Sequence, residues 1–256
     1  MEVSNLVVIT NDEKKIIYII EDIVNFDKVY ISGVHYRIRK IVTLEDIRLA
    51  TETEISQENK KAQDYFLSVA NLKKRNKKNY LLGKVLHIDG DQKYLDKCLT
   101  LYQEIGVFAD GLTIKESQIH ERIQNLVLKL APDIIVITGH DVYNQKGWKD
   151  LDNYSNTSNY IKAVRKIREK RSRGDVIVIA GACQSNFEAL IANGADFASS
   201  PKRINIHTFD PAVIAIKAAT TAFNKIINLS EALRYIEKGN EAFGGLETFG
   251  KMKLFV

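Results

Sequence analysis

The fold is decided by two stretches of sequence, Ile134-Ile135-Val136-Ile137-Thr138-Gly139-His140-Asp141 and Val176-Ile177-Val178-Ile179-Ala180-Gly181-Ala182-Cys183-Gln184-Ser185. Each begins with a short apolar run, which is typical of a strand buried on both faces of a parallel sheet. Each run meets a glycine, and one or two residues later comes a reactive side chain, His140 or Cys183. Because the carboxyl ends of parallel strands share one edge of the sheet, we expect an imidazole and a thiol at the same edge.

The sequence around these stretches repeats one pattern from Gly83 onward. Further apolar runs occupy Val85–Ile88 and Val107–Ala109, in addition to Ile134–Ile137 and Val176–Ala180. Helical stretches follow the runs, at Lys93–Ile105, Glu116–Leu130, Asn156–Arg171 and Asn186–Asn193, the last closed by Gly194. Strands that alternate with helices predict an α/β fold with a mostly parallel sheet flanked by helices.

The chain is predicted to have three parts. Residues 1–50 form a small β-rich module, because short apolar runs alternate there with turn-prone residues, at Leu6–Ile9, Ile16–Ile20, Val29–Ile31 and Val34–Ile38. Residues 51–82 are polar and then basic, which indicates a polar helix and a basic linker. Residues 83–256 make up the α/β domain.

Composition narrows the class of protein. With two cysteines, no disulfide framework is expected, and the absence of a targeting pattern at the N-terminus favours the cytoplasm. The apolar runs are far shorter than the roughly 20 residues that span a bilayer, so no membrane partner is expected. The net charge of +5 comes largely from Lys/Arg clusters within residues 73–78 and 165–173. These clusters lack interleaved aromatic residues, so no nucleic-acid partner is expected.

The residues Cys183 and His140 are the candidates for catalysis. A thiolate is strongly nucleophilic, and a neighbouring imidazole can take the thiol proton. The backbone amides of Cys183 and Gly139 are candidate donors to an oxyanion. The alternative is that either side chain is structural, since buried cysteine is a common core residue. Cys98 lies among apolar residues at helical spacing and is predicted to be a helix core residue.

The neighbourhood of Cys183 partly matches caspases, whose cysteine follows Gln-Ala and precedes a glycine-containing pair, with the histidine about 50 residues upstream. Here the run is Gly181-Ala182-Cys183-Gln184-Ser185, so its middle matches and both ends differ. Caspases carry glycine directly after the histidine, where this chain has Asp141. The sequence therefore predicts a caspase-like fold with an altered oxyanion site.

A closer resemblance covers most of the sequence from Gly83 to the C-terminus. Five blocks carry it, namely Gly83–Asp91, Ile137–Asp141, Gly181–Ser185, Ala198–Pro201 and Gly244–Thr248. In these blocks and their order the chain resembles the sporulation-specific YabG peptidase family of spore-forming bacteria. The resemblance implies a cysteine endopeptidase that processes spore coat and related sporulation proteins, in the mother cell or the developing spore. It also implies that Cys183 and His140 are the catalytic pair. No metal is expected, because the histidines and cysteines show no zinc-binding spacing, and no other cofactor is expected.

The resemblance further implies cleavage after arginine, which requires a carboxylate in the substrate pocket. Asp89 and Asp91 follow the strand Val85–Ile88 and are the candidates, because a carboxylate pairs well with a guanidinium. Asp210 and Asp141 are next in line. For Asp89 and Asp91, a role in satisfying backbone amides of a turn is the alternative. Asp210 precedes Pro211 and is interpreted as a helix cap.

Two other functions are kept open by the sequence. Asp89 and Asp91 at a strand end resemble the first motif of magnesium-dependent haloacid dehalogenase-type phosphatases, and Thr138 could mimic the second motif. No convincing downstream acidic pair completes a magnesium site. A non-catalytic coat-assembly module is the third possibility, because fold does not fix function. His207 is a rival to His140 as the base.

Overall fold

The computed structural model describes residues 1–12, 15–71 and 80–255. The chain folds into two compact units, Met1–Leu67 and Ser68–Val256. The basic cluster predicted as a linker, within residues 73–78, lies outside the described residues. No helix in the described ranges is long and apolar enough to cross a membrane.

The first unit contains a five-stranded antiparallel sheet. Its strands are β1 (Leu6–Ile9), β2 (Tyr18–Ile23), β3 (Lys28–Gly33), β4 (Arg39–Thr43) and β5 (Ile47–Leu49), in the order β4-β3-β2-β1-β5. The β-rich character is confirmed. The strand predicted at Val34–Ile38 is wrong, because this segment is a turn in which Gly33 N donates to Ile38 O at 2.8 Å.

A polar helix, α1 (Glu52–Ala70), follows the first sheet. It starts with a capping box, in which Glu54 N donates to Thr51 Oγ1 at 3.2 Å and Thr51 N donates to Glu54 Oε2 at 3.0 Å. Arg48 binds the same carboxylate and, with Thr51, lowers the pKa of Glu54 to about 2. A helix thus occupies the stretch in which the sequence predicts a polar one, and Val69 is the residue it buries.

The second unit is an α/β domain built on a six-stranded sheet. The strands of this unit are β6 (Tyr80–Leu81), β7 (Val85–Asp89), β8 (Ala109–Thr113), β9 (Ile134–Thr138), β10 (Ile177–Ala180), β11 (Phe197–Ser199), β12 (Phe243–Gly245) and β13 (Lys253–Leu254). Its helices are α2 (Gln92–Ile105), α3 (Ile119–Leu130), α4 (Thr157–Arg168), α5 (Phe187–Ala192), α6 (Asp210–Thr220) and α7 (Leu229–Leu233). The main sheet has the order β12-β11-β10-β9-β7-β8, and β6 pairs with β13 separately.

The main sheet is parallel except for β12, which runs antiparallel to β11. Its central strands β7, β9 and β10 are buried along their whole length. One face packs against α3, α4 and α5 in a continuous apolar core, and α2 and α6 contact the strands as well. The predicted mostly parallel sheet with flanking helices is confirmed, and the caspase-like designation stays a prediction.

The strand order places a crevice at a definite point of the sheet. Counted along the domain from β7 to β11, the order is 2-1-3-4-5, as in one common class of doubly wound sheets. The chain runs from β7 to β8 on one side and then crosses back to β9 on the other side of β7. In such sheets ligands bind outside the carboxyl ends of the strands at this switch point, which here lies just beyond Asp89 and Thr138, paired residues on β7 and β9.

Candidate active site

The residues His140 and Cys183 follow neighbouring strands of the sheet. β9 and β10 are parallel, with Ile137 paired to Ala180. Each candidate residue lies three positions beyond this pair, His140 after β9 and Cys183 after β10. Both therefore emerge at the carboxyl edge beside the switch point.

The side chain of Cys183 faces the backbone of Ile206. Its Sγ accepts a hydrogen bond from Ile206 N at 3.3 Å, and lies 3.8 Å from Ile206 O. Only 2% of Cys183 is exposed. A hydrogen bond donated to sulfur favours the thiolate, whereas one donated by the thiol to Ile206 O favours the thiol. Both contacts cover the sulfur atom.

The turn that carries Cys183 requires a glycine at position 181. Gly181 has φ +106°, and a Cβ there would lie 2.5 Å from Ser199 Oγ. Ala182 N then donates to Ser185 Oγ at 2.9 Å, while Ala182 O accepts from Ser199 Oγ at 2.7 Å. Hydrogen bonds to both the N–H and the C=O of Ala182 therefore fix the backbone just before Cys183.

The imidazole of His140 lies between two carboxylates. Nε2 is 3.8 Å from Asp91 Oδ2, and Nδ1 is 3.7 Å from Glu116 Oε1. The ring also packs against Tyr94, with centroids 5.7 Å apart. Both ring nitrogens are buried, and neither makes a hydrogen bond to any described residue. Buried polar atoms in this state call for a functional explanation.

Asp141 ties the loop after His140 to the turn after Cys183. Its Oδ2 accepts from Ser185 Oγ at 2.8 Å and from Thr157 Oγ1 at 2.5 Å, and its Oδ1 accepts from Asn156 N at 2.7 Å. Burial raises the pKa of Asp141, although these hydrogen bonds act in the opposite sense. Asp141 is thus a buried connection between the two candidate loops.

Gln184 makes a second connection beside Cys183. Its Oε1 accepts from Tyr143 N at 3.0 Å, in the loop after β9, and its Nε2 donates to Asn205 Oδ1 at 3.0 Å. Its own backbone N–H donates to Ile204 O at 3.0 Å. The His140 loop, the Cys183 turn and the loop at 204–206 therefore form one hydrogen-bonded edge.

The two predicted pocket aspartates have different surroundings. Asp89 is fully buried, and its Oδ1 accepts from Asp91 N at 3.0 Å. Asp91 is 9% exposed and caps α2, where its Oδ1 accepts from Lys93 N at 2.9 Å. Its other oxygen faces His140. Both residues thus satisfy turn amides, and Asp91 also presents an oxygen toward the candidate site.

The remaining candidates are His207, Thr138 and Cys98. His207 is buried, its Nδ1 accepts from Phe209 N at 3.2 Å, and its own N donates to Asp210 Oδ2 at 2.9 Å. Thr138 is buried at the end of β9. Cys98 is a core residue of α2, as predicted, with Sγ 3.3 Å from Thr208 O. Within residues 1–12, 15–71 and 80–255, no three His, Cys, Asp or Glu side chains form a group that could hold a metal ion.

Together, these features define a doubly wound α/β protein whose thiol, imidazole and carboxylate residues gather at the carboxyl edge of the sheet, the usual place of active sites in such folds. The model of the YabG peptidase U57 family matches residues 2–256. The chain belongs to this family.

The chain is similar to a curated protease and, more distantly, to a protein of known structure. The sporulation-specific protease YabG of Bacillus subtilis (strain 168) is 44% identical over 178 residues, which cover 68% of this chain and 61% of that protein. Among solved structures, a two-component system response regulator/GGDEF domain protein is 15% identical, with 52% of this chain and 45% of that chain covered and a TM-score of 0.32. At that TM-score the likeness bears on neither fold detail nor function.

Proposed function

We propose that the chain is a sporulation cysteine endopeptidase with a caspase-like α/β domain, in which Cys183 is the nucleophile and His140 the general base. The observation that carries the proposal is the pairing of Ile137 with Ala180, since it brings the two residues to neighbouring strand ends. Membership of the YabG peptidase family supports the peptidase activity. Spore coat and related sporulation proteins are the proposed substrates, in the mother cell or developing spore.

The proposed reaction uses the residues of this edge in sequence. His140 takes the proton of Cys183, and the thiolate attacks the scissile carbonyl carbon, forming a C–S bond while the carbonyl π electrons move to oxygen. The amides of Cys183 and Gly139 are the proposed donors to that oxyanion. When the intermediate collapses, the C–N bond breaks and the imidazolium protonates the leaving amine. Water then hydrolyses the acyl-enzyme with His140 again as base.

Access to Cys183 requires a local rearrangement. Ile206 lies against Sγ, so a substrate carbonyl reaches the sulfur only after the loop at 204–206 shifts. Catalytic contacts in free enzymes are often long and tighten when substrate binds. We propose that substrate binding displaces Ile206 and brings the thiol to Nε2 of His140.

Arginine specificity is assigned to two aspartates at the carboxyl end of β7, Asp89 in its last position and Asp91 two residues further on. The positive net charge of the chain gives no general attraction for a basic substrate, so a local carboxylate must supply it. We propose that Asp91 Oδ2 receives the guanidinium, because it faces His140, and that Asp89 holds the Asp91 backbone in place.

Replacing Asp91 with Asn will lower cleavage after arginine about 30-fold or more. The substitution keeps the size of the side chain but leaves the substrate guanidinium unpaired, which costs about 2 to 5 kcal/mol, and each 1.4 kcal/mol is about tenfold. We expect Asp89→Asn to have a smaller effect, since Asn still accepts the Asp91 N–H. The measurement is kcat/KM on peptides with Arg, Lys, Asp or Leu before the scissile bond.

Asp96→Asn is the matched control, because Asp96 is an exposed aspartate on the same helix. Cleavage after Arg that falls in Asp91→Asn but not in Asp96→Asn supports the assignment. Normal cleavage after Arg in both Asp91→Asn and Asp89→Asn would mean that another carboxylate binds the arginine, with Asp210 or Asp141 the next candidates. Absence of any peptide cleavage, with a phosphatase activity that Asp89→Asn abolishes, would contradict the proposed function itself.

A further inference from the structure

We propose that Glu116 is the positioning residue for His140, holding the imidazole with its proton on Nδ1 so that Nε2 is free to take the proton of Cys183. This inference rests on the proposed function. It concerns a residue for which the sequence gives no motif, in the one-turn 3₁₀ helix Glu116–Gln118 just before α3.

One oxygen of Glu116 contacts both the backbone and the ring of His140. Oε1 accepts a hydrogen bond from His140 N at 2.8 Å, and lies 3.7 Å from Nδ1. The backbone bond fixes where the histidine leaves β9. The ring contact places Nδ1 on the side of Glu116, so the opposite nitrogen, Nε2, lies on the other side of the ring, toward Asp91.

Two glycines make room for this carboxylate at the switch point. A Cβ on Gly90, after β7, would lie 2.1 Å from Glu116 Oε1, and a Cβ on Gly139, after β9, would lie 2.4 Å from the same atom. Any other residue at either position would push Glu116 away. The strand ends of β7 and β9 thus form a cradle for the Glu116 carboxylate.

The electrostatics of the cradle favour an ionised glutamate. Burial acts to raise the pKa of Glu116, but the interactions with the ring and the amide of His140 outweigh it, and the pKa lies below its usual value. A carboxylate fixed beside Nδ1 favours the tautomer that donates from that nitrogen, and it stabilises the imidazolium that forms when the thiol is deprotonated. The interaction thus acts on the protonation of His140 during the reaction.

The neighbouring Asp91 has a separate role in this account. It lies on the Nε2 side of the ring at 3.8 Å and is assigned to the substrate. Removing the charge of Glu116 should therefore lower kcat, whereas removing the charge of Asp91 should lower the affinity and preference for arginine. This division between the two carboxylates can be measured.

The test is Glu116→Gln, which keeps the side-chain size and an acceptor for His140 N–H while removing the charge. We expect kcat for an Arg peptide to fall roughly 100-fold, within the range of general-base effects, with KM changed less than about twofold, the pattern of an interaction that acts mainly in the transition state. Glu121→Gln, an exposed glutamate of α3, is the matched control. It should retain normal turnover.

A measurement independent of cleavage completes the test. ¹⁵N-histidine NMR of the full chain, at a pH where the ring is neutral, reports which nitrogen of His140 carries the proton. We expect the Nδ1–H form in the unsubstituted protein and a shift toward Nε2–H in Glu116→Gln. An unchanged tautomer, or normal kcat in Glu116→Gln while cleavage still depends on Cys183, would overturn the role of Glu116 and leave the proposed function standing. Cleavage that persists in Cys183→Ala would instead overturn the proposed function.

Discussion

Replacing Cys183 with Ala will abolish cleavage of an Arg peptide, by about 10⁴-fold or more, as expected when the nucleophile of a covalent mechanism is lost. The substitution removes the acceptor of Ile206 N, which costs about 1 to 3 kcal/mol, so we expect a lower melting temperature but a retained fold. Steady-state cleavage and thermal melting of the same preparation measure the two effects. Cys98→Ala is the control, since Cys98 lies in the core of α2 and its loss should lower stability without removing turnover.

Equal turnover in the unsubstituted protein and Cys183→Ala would exclude Cys183 as the nucleophile. Loss of activity in Cys98→Ala with a native melting temperature would move the nucleophile to α2. Either result would contradict the assignment of Cys183.

Replacing His140 with Ala will lower kcat/KM by a factor of about 10² to 10⁴, the usual contribution of a general base. The fold should be retained, because the side chain follows β9 in a loop and its ring nitrogens make no hydrogen bond to a described residue that would be lost. Circular dichroism should remain native. The measurement is the cleavage rate of an Arg peptide at saturating and at low concentration.

His207→Ala separates the two candidate bases. His207 precedes α6 and accepts from Phe209 N, so its loss should alter stability more than turnover. Near-normal cleavage in His140→Ala, together with a large loss in His207→Ala at unchanged melting temperature, would transfer the role of base to the loop that contacts Cys183.

The sequence predicted the centre of the sheet well because burial on both faces leaves a simple pattern. The apolar runs at Val85–Ile88 and Ile134–Ile137 correspond to β7 and β9, each of which extends one residue further. The helices α2, α3 and α4 were predicted from the polar stretches between the runs. The strand placed at Val107–Ala109 was displaced, since β8 begins at Ala109.

Elements without such a pattern were not predicted or, like α6, were indicated only by a start signal, here Asp210-Pro211. α6 is buried on nearly all sides, and a helix that is apolar all round shows no helical periodicity. β11 has three residues, too few to distinguish from a loop. In the first unit β4 was not predicted, because it begins with the charged residues Arg39 and Lys40. The apolar residues at Val34–Ile38, which suggested a strand, belong to a turn.

The candidate site was only partly accessible to sequence reasoning. His140 and Cys183 were placed at the sheet edge because each follows an apolar run and a glycine. Glu116 is distant in sequence from His140, and it reaches the ring only through the packing of a short 3₁₀ turn. Gly90 and Gly139, both directly after strands, were the available signal. Their meaning depends on the neighbouring side chain, which a single sequence does not provide.

The most direct test of the central claim is covalent labelling by a thiol-alkylating peptide with arginine at its reactive end, followed by mass mapping of the modified residue. Our account predicts that Cys183 is labelled and Cys98 is not, because Cys183 lies at the sheet edge beside a candidate base and becomes accessible when the loop at 204–206 shifts, whereas Cys98 is enclosed in the core of α2. It also predicts that His140→Ala slows the labelling. Preferential modification of Cys98, or labelling of Cys183 that is independent of both the arginine and His140, would contradict it.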